Sequence, residues 1–240
     1  MKLLLLALTG AKFGKLLTTG GTMLISLVIY AQLWGWPYAA GFLALLFAHE
    51  LGHVIAAHQR GLPVSAPAFI PFMGAFITLR EQPDNVETEA HVAIGGPVLG
   101  TVAAFAMYFW ARAEDSQLLL AVSYAGFFLN LFNLLPISPL DGGRITAVLG
   151  PRIWFLGVPM LLGLMLYRPS PVLILVAIMA APQVMKAWRY DPAAPENRAY
   201  YDIPAKTKFE YTVLYLGLAA LLALMTEGVH EMLGPTHTSW

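Results

Sequence analysis

Two histidines four residues apart, with a glutamate directly after the first, stand in Phe47-Ala48-His49-Glu50-Leu51-Gly52-His53-Val54-Ile55. On a helix, positions i and i+4 share one face, with Cβ atoms about 5–6 Å apart. His49 and His53 can therefore hold one metal ion between them, and Glu50 sits beside it as a candidate general base for a water. A catalytic zinc keeps three protein ligands and one open position, so the pattern needs a further donor from elsewhere in the chain. With no cysteine in the sequence, that donor must be His, Asp or Glu, and disulfides and thiol nucleophiles are excluded.

Most other acids (Asp84, Glu87, Glu89, Glu114 and Asp115) read as residues of polar turns. Asp141 differs. It lies in Leu135-Pro136-Ile137-Ser138-Pro139-Leu140-Asp141-Gly142-Gly143, where prolines free the backbone and two glycines permit close approach. It could instead cap a helix starting at Gly142, but a two-histidine motif short of one ligand favours the metal role. Asn133, with Asn130 one turn earlier, lies in an otherwise apolar helix end, and buried amides demand partners. Either these amides tie helices together, or Asn133 donates to a substrate carbonyl or to the oxyanion formed when water attacks. His91 reads as a helix-end residue rather than a ligand.

These groups sit in unusually apolar surroundings. The 240 residues are 58% hydrophobic and 12% charged, which fits a polytopic membrane protein. Glu50 is the only formally charged residue between Gly41 and Ala57. A carboxylate within a bilayer-length apolar run costs about 2.5–3.5 kcal/mol on insertion scales, so its presence points to function. Net charge is zero, and nothing suggests a nucleic-acid partner.

Taking about 17–25 apolar residues per span, candidates run from Leu16 to Trp36, Tyr38 to His58, His91 to Trp110 and Leu118 to Leu135. Three more run from Ile153 to Tyr167, Val172 to Trp188 and Phe209 to Met225. The third is expected to break near its start at Gly95-Gly96-Pro97, and Arg80 to Glu89 reads as a short acidic surface stretch. Between the second and third, Pro63, Pro67 and Pro71 preclude a helix, while Phe69, Phe72, Phe76 and Ile77 keep the segment apolar. The expected form is an extended hairpin over about 62–79 that dips into the membrane against protein, the alternative being an interfacial loop. The fold class is thus all-α and polytopic, with six or seven transmembrane helices and a small membrane-associated β-hairpin. It divides into a cytosolic lead-in (1–15), a catalytic membrane core (16–150) and C-terminal transmembrane helices (151–240) with a polar linker at about 190–208. With seven spans and a cytosolic N-terminus, all of the 14 Lys and Arg except Arg112 and Arg168 fall on the cytosolic side, as the positive-inside rule requires.

The chain resembles the site-2 proteases, which are intramembrane zinc metalloproteases. The likeness rests on His49-Glu50-Leu51-Gly52-His53, on Gly95-Gly96-Pro97, and on Asn133-Leu134-Leu135-Pro136 leading to Leu140-Asp141-Gly142-Gly143. It implies one Zn²⁺ bound by His49, His53 and Asp141, with Glu50 activating the water and Asn133 orienting substrate or intermediate. It further implies that the hairpin, with Gly74 and Phe76, offers an edge strand to an unwound substrate helix. The implied partners are a membrane-protein substrate and the lipid bilayer. The implied location is a prokaryotic plasma membrane, with the active site towards the cytosol. One departure stands out: Val98-Leu99-Gly100 follow the glycine-proline pair, where many members carry an asparagine. Two other readings compete. A catalytically idle client-binding scaffold would typically lose Glu50 or a ligand, and a metal transporter would need a second polar constellation along a pathway.

Overall fold

The structure is a computed structural model that describes residues 19–72, 74–76 and 81–234. The expected lead-in at 1–15, the start of the first span, the hairpin end at 77–79, and Lys2, Lys12, Lys15 and Arg80 lie outside these residues.

Helix α1 (Thr19–Trp34) turns at Gly35, whose φ of 82° suits glycine, into α2 (Trp36–Gln59) with a proline in its first turn. The histidine motif lies in the second half of α2. After an irregular connection come β1 (Ala68–Ile70) and β2 (Gly74–Phe76), which pair antiparallel with Phe69 opposite Ala75 and Ile70 opposite Gly74. The expected extended hairpin is therefore present, though short.

Helix α3 (Val86–Ala113) corrects the sequence reading in two ways. It starts before His91, because the Asn85 side chain accepts a hydrogen bond from the Thr88 N–H at 2.8 Å and Glu87 and Glu89 favour the positive end of the helix dipole. The end of the acidic stretch, with Glu87 and Glu89, thus enters the helix, while Glu81 and Asp84 stay exposed before it. Nor does Gly95-Gly96-Pro97 interrupt it: Pro97 stands inside a continuous helix, and the glycines serve contact rather than breakage.

Ser116 caps α4 (Gln117–Asn133), which gives way to turns over 134–140 and then to the six-residue α5 (Asp141–Thr146). Two 3₁₀ turns lead to α6 (Trp154–Tyr167), followed by α7 (Pro171–Trp188), a short α8 (Pro195–Tyr201) inside the expected linker, and α9 (Ala205–Leu233). α9 extends well past both ends of the expected span.

Among the described residues, four helices (α2, α3, α7 and α9) are long and apolar enough to cross a membrane, and three shorter apolar helices lie at Thr19–Trp34, Gln117–Asn133 and Pro151–Tyr167. The core forms where α3 packs between α2 and α4, with α9 closing over α4 through Phe127, Leu222 and Val229. α6 and α7 join it through Leu135 and Ile137 in the turns before α5.

Candidate metal centre

The site begins with a backbone contact. At Gly52 of α2, an added Cβ would stand 2.1 Å from the Gly95 carbonyl oxygen. At Gly95 of α3 it would stand 2.5 Å from the Gly52 carbonyl. Only hydrogen at both positions lets the two helices approach this closely. The contact brings Gly96 under the His53 ring, 2.3 Å from its Nε2 to a hypothetical Cβ. The glycine motif therefore shapes the floor of the histidine site.

Asp141 arrives from the opposite side. Gly142 and Gly143 nestle against the backbone of 134–138, so α5 starts directly over the histidines. Leu140 is the N-cap and makes no side-chain cap. Asp141 is the first helical residue, and its Oδ2 lies 3.1 Å from His49 Nε2 and 3.3 Å from His53 Nε2. The two Nε2 atoms are themselves 3.1 Å apart. His49, Glu50, His53 and Asp141 are all buried, with at most 7% of any residue exposed.

The outer ring nitrogens fix which tautomer each neutral imidazole takes. Asn130 Nδ2 donates to the Gly126 carbonyl at 2.7 Å, so its Oδ1 is the atom facing His49 and accepts from His49 Nδ1–H at 2.8 Å. His53 Nδ1 donates to the Val92 carbonyl at 2.9 Å, and a carbonyl can only accept. Both imidazoles are thereby held as the tautomer that turns an Nε2 lone pair inward. Two lone pairs and a carboxylate oxygen converging at 3.1–3.3 Å repel one another unless a cation lies between them. Four-coordinate zinc with bonds of about 2.0–2.1 Å needs ligand-to-ligand edges of about 3.3 Å. The donor set fits that ion in type and in spacing.

Glu50 completes the cluster. Ligand atoms of His49, Glu50 and His53 lie within 4.8 Å of one another, and the Glu50 Oε2 is buried with no hydrogen-bond partner among the described residues. A buried carboxylate oxygen left unpaired beside a metal-fitting triangle calls for a partner that is not of the chain.

The remaining candidates are more scattered. Asn133 Nδ2 donates to Leu129 O of its own helix at 3.1 Å, and it is Asn130, fully buried, that reaches His49. His91 meets Gln59 at 2.9 Å and Tyr211 at 3.5 Å, away from the triangle. Gly74 and Phe76 form the two ends of β2, with Gly74 at φ 95°. The other strand is already occupied on its outer side: Phe69 N–H donates to Thr22 Oγ1 at 3.2 Å, and Thr19 Oγ1 donates to Pro67 O at 2.7 Å. The Phe72 N–H at the turn donates to the Tyr30 hydroxyl at 3.0 Å. α1 thus covers the β1 edge, while β2 pairs with β1 alone among the described residues.

Comparison with known proteins converges on the same segment. The model of peptidase family M50 matches residues 37–114, which hold the histidine helix, the hairpin and α3. Rip3 of Mycobacterium tuberculosis, by name a zinc metalloprotease, is 32% identical over 125 residues covering 46% of this chain and 31% of Rip3. Zinc metalloprotease MJ0392 of Methanocaldococcus jannaschii is 29% identical over 114 residues, 45% of this chain and 33% of its own length. EGY1 of Arabidopsis thaliana, a chloroplastic protein also named for zinc metalloprotease activity, is 26% identical over 156 residues, 45% of this chain and 28% of EGY1. The matched stretches thus span about a third or less of these relatives' own lengths. The likeness to the M50, or site-2 protease, family is shown, and with it the pointer to zinc.

Proposed function

We propose that this chain, similar to the M50 peptidases through its histidine helix, is an intramembrane zinc metalloprotease that hydrolyses a peptide bond in or near a transmembrane segment of a membrane protein. The observation that carries the reading is the convergence of His49 Nε2, His53 Nε2 and Asp141 Oδ2 at zinc-like spacing beside an unpaired Glu50 oxygen. In this reading His49, His53 and Asp141 hold the ion, while Asn130 and the Val92 carbonyl hold the imidazoles in register. The ion supplies a water pKa lowered to about 7 and polarisation of the scissile carbonyl. Glu50 Oε2 accepts the proton of the attacking water and returns it to the leaving amine nitrogen. Asn133, at the end of α4, donates to the carbonyl oxygen as charge develops there.

A substrate helix must unwind before its carbonyls are reachable. The edge of β2, with Gly74 and Phe76, is the strand it adds to, since α1 covers the other edge of the hairpin. The three shorter apolar helices cross the bilayer with the four longer ones, the N-terminus and the site lying towards the cytosol of a prokaryotic plasma membrane.

The first test is zinc per chain in purified protein, wild type beside Asp141→Ala. About one zinc in the wild type and little in the variant is expected. Glu50→Gln should keep its zinc and lose cleavage of a transmembrane substrate. Full cleavage by that variant would remove Glu50 as the base, and a wild type without zinc would leave a scaffold.

A further inference from the structure

α5 is six residues long, too short to hold its geometry alone, yet it positions Asp141. One turn after Asp141, Arg144 Nε donates to Glu89 Oε1 at 3.2 Å, and the two side chains are only 24% and 26% exposed. The second oxygen of that carboxylate accepts a short hydrogen bond from the Tyr200 hydroxyl. One carboxylate thus joins three elements far apart in sequence: α5, the first turn of α3, and α8. Tyr200, Tyr201 and Ile203 pack on Val86 and Ala90 of α3 and on Ala147 and Val148 just beyond α5.

We propose that Arg144, Glu89 and Tyr200 form a tether through which the 190–204 connection positions Asp141 over the histidines. This rests on the metal reading of the site and adds positioning residues outside it. The chemistry of each member suits the task. Glu89 has one oxygen for each partner, so losing either partner leaves the other bond without its opposing pull. The Tyr200 phenol is pushed up from its ordinary value by burial first and then by the Glu89 carboxylate, and it therefore stays a donor. Its neighbour Tyr201, pushed up to about 12 by burial first and then by the Glu89 charge, makes ring contacts with Tyr190 and Tyr200 but no hydrogen bond to Glu89 or Arg144. It is the natural control. Among the described residues, the remaining polar anchor of α5 to another element, apart from Asp141 itself, is the Trp154 Nε1–H donated to the Gly143 carbonyl at 2.8 Å.

The experiment is hydrogen exchange on the full chain in detergent after metal removal, followed by zinc affinity from competition with a chelator. Tyr200→Phe and Arg144→Gln should each speed exchange of the 142–148 amides about tenfold, and the double variant should add little. Each should weaken zinc about tenfold, while Tyr201→Phe leaves both readouts at wild-type values. Faster exchange confined to 195–203 would overturn the tether and leave a docked linker. So would faster α5 exchange with zinc affinity within twofold of wild type. If the wild type takes up no zinc, the metal reading fails, and exchange in α5 alone then decides the tether.

Discussion

The two asparagines of α4 show what a single helical turn decides. Asn130 is fully buried and accepts from His49, whereas Asn133, among the described residues, bonds only within its own helix. Asn130→Ala strands the His49 Nδ1–H and releases the ring from its tautomer. It should cost about 1–3 kcal/mol in unfolding and weaken zinc about 10–100-fold, read by thermal melting and chelator competition. Asn133→Ala should leave zinc affinity unchanged and lower kcat about 10²–10³-fold with little change in KM, the signature of a donor used only in the transition state. Equal zinc loss in both variants would refute that division. The residue types of the site are plain in the sequence: His49 and His53 announce themselves by spacing, and Asp141 by its apolar setting. The assignment between Asn130 and Asn133 is not, because both occupy an apolar run and only the rotation of α4 against α2 settles which faces the imidazole. Asn130 already carried a usable signal, an amide in an uncharged helix four residues after a glycine that leaves its carbonyl within reach.

At the scale of elements, the same triplet of residues misled and informed. Gly95-Gly96-Pro97 looks like a break, since glycine and proline both disfavour helices. α3 nevertheless runs through it, and what the glycines provide is the touching backbone of α2 and α3. Composition alone cannot separate a glycine that ends a helix from one that lets a neighbour in, because the difference lies in the partner. Gly52→Ala meets a carbonyl oxygen, not a flexible side chain. It should destabilise by about 3 kcal/mol or more, with zinc content falling alongside the melting temperature. Gly163→Ala in α6, where nothing lies within 4 Å of the added methyl, should melt at or slightly above the wild type, alanine being the better helix former. The hairpin supplies a contrasting case, in which proline spacing and apolar character did indicate extended backbone. Tyr30→Phe removes the hydroxyl that receives the Phe72 N–H. Hydrogen exchange across 68–76 should rise about five- to tenfold, while zinc affinity stays fixed. A concurrent loss of zinc would show that the hairpin supports the metal site as well as substrate.

Across the whole molecule, the distribution of cations argues for an orientation. Contacts gather the Arg60–Glu87 pair, the Arg144–Glu89 pair, the Gln59–His91–Tyr211 contacts and the Arg152–Tyr190 bond at one end of the bundle. Arg112 lies at the other end of α3, and Arg168 at the far end of α6. Every other described Lys and Arg belongs with the first cluster or with the 186–208 region joined to it. Helices of 28 and 29 residues reach about 42 Å, enough to cross a hydrocarbon core of about 30 Å with turns to spare. In the proposed orientation, the positive-inside rule would turn the Arg-rich end, with Asp141 and the histidines near it, to the cytosol. The absence of cysteine makes this directly testable, because any introduced thiol is read against no background. A cysteine at Asp115, in the α3–α4 turn, should react with an impermeant maleimide added outside intact cells. One at Ala193, in the 190–204 connection, should react only after permeabilisation. The reverse pattern would put the metal site on the outer face. Labelling of both from outside would mean that an odd number of α4, α6 and α7 fails to cross, and with it the seven-span arrangement.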